Sequence, residues 1–186
     1  MPEPAHDALS RWKLAIAERH NARGVQKILH CGAAVWVGSP EYDHRAHWPA
    51  GKWFTTDIQA GSGVDIVGDL QTLWTATAER FDAIFCRSVL EHIPRPWLAM
   101  HSLAQLLNPG GVVYIATHQT FPLHYYSEDY FRFSTAALEM MARDSGLEIL
   151  HCGYDSPCTI TPAGRREPWN DIARAFLDVS LCARKP

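Results

Sequence analysis

Residues 81–118 read FDAIFCRSVLEHIPRPWLAMHSLAQLLNPGGVVYIATH, and this stretch decides the fold. FDAIFCRS is a nearly continuous apolar run bounded by Asp82 and Arg87, the pattern of a central parallel strand covered on both faces. The period then changes. Trp97, Met100, Leu103, Ala104 and Leu107 fall at helical spacing, and Pro96 suits a first helical turn. Asn108-Pro109-Gly110-Gly111 is a strong stop, after which GVVYIATH returns to an apolar, buried-strand pattern.

Working outward, the same alternation continues. On the amino-terminal side, AAVWVGSP (33–40) reads as a first buried strand ending at Gly38, followed by a loop holding Pro40 and Pro49. KWFTTDI (52–58) reads as a second strand and VDIVGDL (64–70) as a short third. A leading helix is expected from Ala8 to His20, with Leu9, Trp12, Leu14, Ile16 and Ala17 as its apolar side. On the other side, FSTAALEMMARDSG starts a helix capped by Ser134, with Phe133 and Leu138 placed for a hydrophobic staple and Gly146 ending it. LEILHCGY and AFLDVSLCARK are two closing strands joined by a loop (155–171) rich in Pro, Gly and charge. Without a long helix between them they form a hairpin, which makes one strand antiparallel. The expectation is a single α/β domain over 1–186, a mostly parallel sheet with helices on both faces. Its parts are a leading helical segment (1–33), a core (34–154), and a late loop with a closing strand (155–186).

Composition narrows the functional classes. The chain has 186 residues, 47% hydrophobic and 20% charged, as in an ordinary globular domain. A formal charge of −3 offers no global positive field for nucleic acid. The basic pairs Arg165-Arg166 and Arg184-Lys185 read as solvated surface. No apolar run is long enough to span a bilayer, and the polar first twenty residues hold no signal-peptide core. Five cysteines, an odd number with no CxxC pair, fit a reducing, cytoplasmic setting. ILHCG occurs twice, at 28–32 and 149–153, but local ligand spacing for zinc is missing, so no metal site is expected.

Gly38, Asp57, Asp69 and Arg87-Ser88 each follow a predicted strand, so one rim of a parallel sheet collects them all. Ligands of open α/β sheets bind at that rim. An acid after the second strand suits ribose hydroxyls, and an acid after the third suits an exocyclic adenine amine. On spacing alone, two aspartates that merely form turns explain the pattern equally well.

TDIQAGSGVDIVGDL, FDAIFCRSVLEHIPRPW and LLNPGGVVYIATH resemble, in order and interval, consecutive motifs of class I S-adenosylmethionine-dependent methyltransferases. The resemblance covers roughly 35–146, and the terminal LCARKP resembles that fold's last strand. It implies a Rossmann-like fold with a seven-stranded sheet, and S-adenosyl-L-methionine as cofactor. By that resemblance Gly38 and Ser39 border the methionine portion, Asp57 binds the ribose with Ile58 against the adenine, and Asp69 meets the adenine amine beside the Leu70 backbone. The Arg87 carbonyl lies near the cofactor ammonium, and the turn from Ser88 to His92 forms a pocket wall, with no catalytic part for Glu91 or His92. The chain departs from the family's first motif: Trp36 stands in the place of an acid two residues before the glycine, and Pro40 where a second glycine is common.

FPLHYYSEDYFRFS (121–134) resembles a subset of these enzymes acting on small polar or sugar-derived acceptors. The segment from His118 to Arg132 is therefore where a small-molecule acceptor is expected. His124 is the first candidate for a general base and His118 the second, because imidazole titrates near neutrality. Tyr125, Tyr126 and Tyr130 would shape an aromatic wall. Arg132 would bind an anionic acceptor or pair with Asp129, and Trp169, Asn170 and Asp171 would close the pocket or simply pack in their loop. The competing reading is a non-catalytic module of the same fold that binds a partner through an eroded cofactor site. A nicotinamide oxidoreductase is the weakest reading, since no GxGxxG follows the first strand. Oligomeric state is not fixed by these residues.

Overall fold

In the computed structural model, residues 7–24, 26–32, 44–124, 128–160 and 175–186 are described. Seven strands form one sheet: β1 (Lys27–Cys31), β2 (Lys52–Asp57), β3 (Ile66–Val67), β4 (Phe81–Arg87), β5 (Leu107–His118), β6 (Glu148–Cys158) and β7 (Ala175–Arg184). Their order is β3-β2-β1-β4-β5-β7-β6. β7 runs antiparallel to both β5 and β6, and the remaining pairs are parallel. The order reverses between β1 and β4, which opens a crevice at the carboxyl ends of those strands.

Four α-helices are described: α1 (Ala8–Arg23), α2 (Leu73–Ala76), α3 (Pro96–Leu106) and α4 (Thr135–Asp144). They cover both faces, and strand side chains alternate between two cores accordingly. Ala83 and Phe85 of β4, with Val112 and Tyr114 of β5, pack on the α1 side around the buried Trp12. Ile84 and Cys86, with Val113 and Ile115, pack on the opposite side with Met100 and Leu103 of α3 and Leu138 of α4. Trp12 meets Phe85 edge to face at 5.5 Å between centroids, a preferred aromatic geometry.

Caps follow expectation at α4. Ser134 Oγ accepts the Ala137 N–H at 3.2 Å, and Phe133 and Leu138 share one core cluster. At α1 the cap is Asp7, whose carboxylate accepts the Ser10 N–H at 2.8 Å.

Three local expectations need correction. The apolar side of α1 is Ala8, Trp12, Ala15 and Ile16, whereas Leu14 is 49% exposed. In α3, Trp97 is exposed and Leu107 belongs to β5, while Ala99 and Leu106 join the buried stripe. Leu107 pairs with Phe81 and Val112 with Ala83, so Asn108 to Gly111 bulge out of the β5 ladder.

The largest difference concerns the first strand. The segment pairing with both β2 and β4 is KILHC (27–31), inside the stretch expected to be a helical leader. AAVWVGSP (33–40), expected as that strand, lies wholly outside the described residues.

Candidate functional site

A cavity of about 220 Å³ sits at the strand-order reversal, with walls drawn from the carboxyl ends of β1, β2, β3 and β4. β1 contributes Cys31 and Gly32, and β2 contributes Thr56 and Asp57, followed by Ile58 and Gln59. Gly68, Asp69, Leu70 and Gln71 follow β3, and the turn after β4 adds Ser88, Val89, His92, Ile93 and Pro94. His124 enters from the loop after β5.

Asp57, Ile58, Asp69, Leu70, Ser88 and His124 are thus brought together as expected. Gly38 and Ser39 lie outside the described residues, as do Tyr125, Tyr126, Trp169, Asn170 and Asp171. Arg87 ends β4 with an exposed side chain and is not among the cavity's lining residues; its neighbour Ser88 is.

Gly32 takes the place expected for Gly38, as the residue directly after β1. Its φ is +78°, a region glycine enters without cost. A Cβ there would stand 2.6 Å from Val89 Cγ2, inside the cavity wall. The turn is held by the Gly32 N–H, which donates to the Thr56 carbonyl at 2.9 Å. Two residues before Gly32 stands His30, so no acid precedes this glycine either. The apolar run ending in glycine at 28–32 was the signal for it, but a longer apolar run follows immediately and competes for the strand.

Both acids also make the turn contacts that the alternative reading required. Asp57 Oδ1 accepts the Gln59 N–H at 3.0 Å, and Asp69 Oδ1 accepts the Gln71 N–H at 2.9 Å. Gln71 Nε2 donates to Asp69 Oδ2 as well, at 2.9 Å. A carboxylate has about four lone-pair sites, so these local bonds orient each group without exhausting it. Beside them Ile58 is 68% exposed, a large apolar side chain left at the rim of a cavity.

The loop after β5 is built around Arg132 and Asp129. Arg132 pairs with the Asp129 carboxylate through both terminal nitrogens and donates to the carbonyls of Phe121, Pro122 and Phe131. Asp129 also accepts the His124 N–H at 3.1 Å, and Arg132 holds its carboxyl well below the usual carboxylate range. Of the two roles expected for Arg132, the pairing role is the one its contacts serve. Its fork is committed to the loop.

His118 does not line the cavity. It is 7% exposed, with Nε2 3.2 Å from Glu91 Oε1 and Nδ1 3.1 Å from Asp178 Oδ1. Burial pulls its pKa down, but the Asp178 and Glu91 carboxylates outweigh burial and lift it to about 9. An imidazolium wedged between two carboxylates has no lone pair for an acceptor's proton, so the geometry is against His118 as a base. Glu91 is 0% exposed, and burial pushes its carboxyl up. Hydrogen bonds from His118, from its own backbone N–H and from Thr117 more than offset this and leave it below the ordinary value. The rings of His92 and His124 meet edge to face at 4.9 Å.

Residues 53–152 match the family described as methyltransferase domain, slightly more than half of the chain. Over 46 residues the chain is 46% identical to the ubiquinone biosynthesis O-methyltransferase of Alkalilimnicola ehrlichii. That match covers 25% of this chain and spans only 19% of the relative's length. Two solved structures are similar in fold. One is an S-adenosylmethionine-dependent methyltransferase from Archaeoglobus fulgidus (TM-score 0.59, 11% identity, 93% of this chain and 94% of that one). The other is 1,6-didemethyltoxoflavin-N1-methyltransferase from Burkholderia thailandensis, with bound 1,6-didemethyltoxoflavin and S-adenosylhomocysteine (TM-score 0.61, 16% identity, 98% of this chain and 79% of that one). With the sheet order, the single antiparallel strand and the match over 53–152 in agreement, the chain belongs to the methyltransferase domain family and carries its class I, Rossmann-like fold.

Proposed function

We propose that this protein transfers a methyl group from S-adenosyl-L-methionine to a small polar acceptor. One observation carries the proposal: two strand-end carboxylates, Asp57 and Asp69, and the exposed Ile58 face one cavity beside a glycine that leaves room for a ligand. The donor set fits the cofactor. Asp57 would accept from the ribose hydroxyls and Asp69 from the adenine amine, with Ile58 and Leu70 against the base. Gly32 and the Ser88 turn would border the methionine end, the role first expected of Gly38 and Ser39. Bound S-adenosylmethionine supplies a methyl on a positively charged sulfur that leaves as a neutral thioether.

The protein's own task is then alignment and exclusion of water. Val89, Ile93 and Pro94 give the cavity an apolar wall. His124, on the cavity surface, is the group to accept a proton from the acceptor. Glu91 and Asp129, 4.0 Å and 3.5 Å from its ring nitrogens, place negative charge where that proton would sit. The likeness to an O-methyltransferase supports oxygen as the accepting atom, and sugar-derived hydroxyl compounds are the first class to screen. The five cysteines are free thiols, which supports a reducing, cytoplasmic setting. Among the described residues no helix is long and apolar enough to cross a membrane.

Calorimetric titration with S-adenosylhomocysteine tests this. Asp57→Ala should weaken binding by about 1.5–3 kcal/mol through lost charge-assisted hydrogen bonds. Wild-type protein that gives no heat at millimolar ligand removes the cofactor reading, and unchanged affinity in the variant removes the ribose assignment.

A further inference from the structure

Glu91 is the one acidic residue among the described residues with both backbone and side chain fully buried, and the proposed transfer gives it only an indirect part. A buried carboxylate is costly unless its lone pairs are used. Oε2 accepts the Thr117 hydroxyl at 2.8 Å, and Oε1 lies 3.2 Å from His118 Nε2. Each oxygen has a second lone-pair direction. On that side stand two imidazoles: one ligand atom each from Glu91, His92 and His124 lie within 4.8 Å of one another.

The outer contacts of the two rings fix which nitrogen faces inward. His92 Nδ1 is 2.6 Å from the Glu128 carbonyl oxygen, which only accepts, so Nδ1 donates there and Nε2 would be the ligating nitrogen. His124 Nδ1 lies 3.5 Å from Asp129 Oδ2, while its Nε2 points at Glu91 Oε1 from 4.0 Å. The carbonyl behind His92 Nδ1 is the usual outer support of a metal-binding histidine, while at 3.5 Å the Asp129 carboxylate stands near His124 Nδ1 as a charge rather than a hydrogen-bonded support. Thr117 and His118 orient the carboxylate in the same sense.

We propose that Glu91, His92 and His124 bind a first-row divalent cation at the wall of the cavity. Bond lengths of about 2.1 Å would put the donors about 3.0–3.5 Å apart, so the cluster closes by small side-chain shifts. Two imidazoles and one carboxylate select zinc, manganese or iron over calcium and magnesium, and three protein ligands leave positions open. His92 and His124 both line the cavity, so the open positions face it. The use of the site rests on the methyl-transfer reading. An acceptor hydroxyl bound to the cation would lose its proton to solvent more readily, and His124 would act as a ligand in place of taking the proton.

The test uses the full chain stripped with EDTA. Zinc and manganese chlorides are titrated separately by calorimetry, and S-adenosylhomocysteine binding is measured on the same sample in EDTA. One zinc per chain is expected. His92→Ala and His124→Ala should each lower its affinity at least about tenfold. His101→Ala, an exposed histidine on α3 that controls for adventitious binding, should match wild type. Wild-type protein without one-to-one zinc binding, or His92→Ala protein binding zinc as tightly as wild type, overturns the site. Nucleoside binding in EDTA with no zinc binding leaves His124 as the proton acceptor and removes only the metal. Zinc binding without nucleoside binding keeps the site and removes the cofactor reading.

Discussion

The pentapeptide Ile-Leu-His-Cys-Gly occurs in two strands of the same sheet with different fates. In β1 it sits between β2 and β4, and Ile28, Leu29 and Cys31 are 0–1% exposed. In β6 it lies on the edge, paired only with β7, and all five residues are half-buried. The faces differ too. Ile28 packs toward α1 and Leu29 toward α3, whereas Ile149 joins the α3 side and Leu150 the α1 side. The facing follows the pairing: Ile149 lies opposite Ala183 of the α3-side core, and the register irregularity comes only after it, between Ile149 and His151. Identical local chemistry therefore makes a cavity-lining core strand in one place and a partly wet edge in the other. Position in the sheet decides.

The strongest way to break this comparison is to truncate the same letter in both copies. Ile28→Ala should cost about 3–4 kcal/mol, because a fully buried side chain leaves a cavity among Trp48, Trp53 and Phe85, its partners in one core cluster. Ile149→Ala should cost about 1 kcal/mol, since water already reaches that site. Urea unfolding with unchanged slopes would read both values. Equal losses would show that the edge copy carries as much of the core as the central one.

What could be read in advance follows the same division. β4 and β5 were legible because strands covered on both faces are written as continuous apolar runs, and α4 because its cap and staple are local. β1 was not. Its five residues include Lys27 and His30, and the sheet neighbours that make it a strand are distant in the chain. The cavity divides likewise: the strand ends place Asp57 and Asp69 at its rim in advance, while Gly32 is hidden behind the misplaced strand. His118 was a plausible base until Glu91 and Asp178, from the turn after β4 and from β7, closed on it. The cluster of Glu91, His92 and His124 needed the loop after β5 to fold back, which no spacing encodes.

A second, smaller effect concerns what fixes the β1 copy at its start. Asp82 Oδ2 accepts the Lys27 N–H at 2.9 Å, and Oδ1 accepts from Arg19 Nε at 3.1 Å and Asn108 Nδ2 at 3.0 Å. Burial pushes the Asp82 carboxyl up, but these donors outweigh it and hold it below the ordinary aspartate value. Because the folded-state value is depressed, the stabilisation is present above the unfolded value of about 4 and is lost as pH falls through the lower folded value. Asp82→Asn should therefore cost about 2 kcal/mol at neutral pH. The two proteins should begin to converge below about pH 4 and meet once pH has fallen through the lower folded-state value, where the wild-type carboxylate protonates. Parallel stability curves across that range would place the anchoring of β1 elsewhere.

The two glycines sharpen the comparison at its finest grain. Gly32 has φ +78°, and a Cβ there meets the Val89 side chain at 2.6 Å. Gly153 is outside the positive-φ set, and a Cβ there meets only the Nε2 end of the His151 ring, at 2.9 Å. A ring tip can swing away; a left-handed backbone cannot be relieved by its neighbours. Gly32→Ala should thus cost about 1–2 kcal/mol in stability, against less than about 0.5 kcal/mol for Gly153→Ala. It should also push Val89 into the cavity and weaken S-adenosylhomocysteine binding, which the edge substitution should leave unchanged. If Gly32→Ala keeps full affinity, the turn after β1 has room to spare, and the nucleoside must be held from the Asp57 and Asp69 side alone.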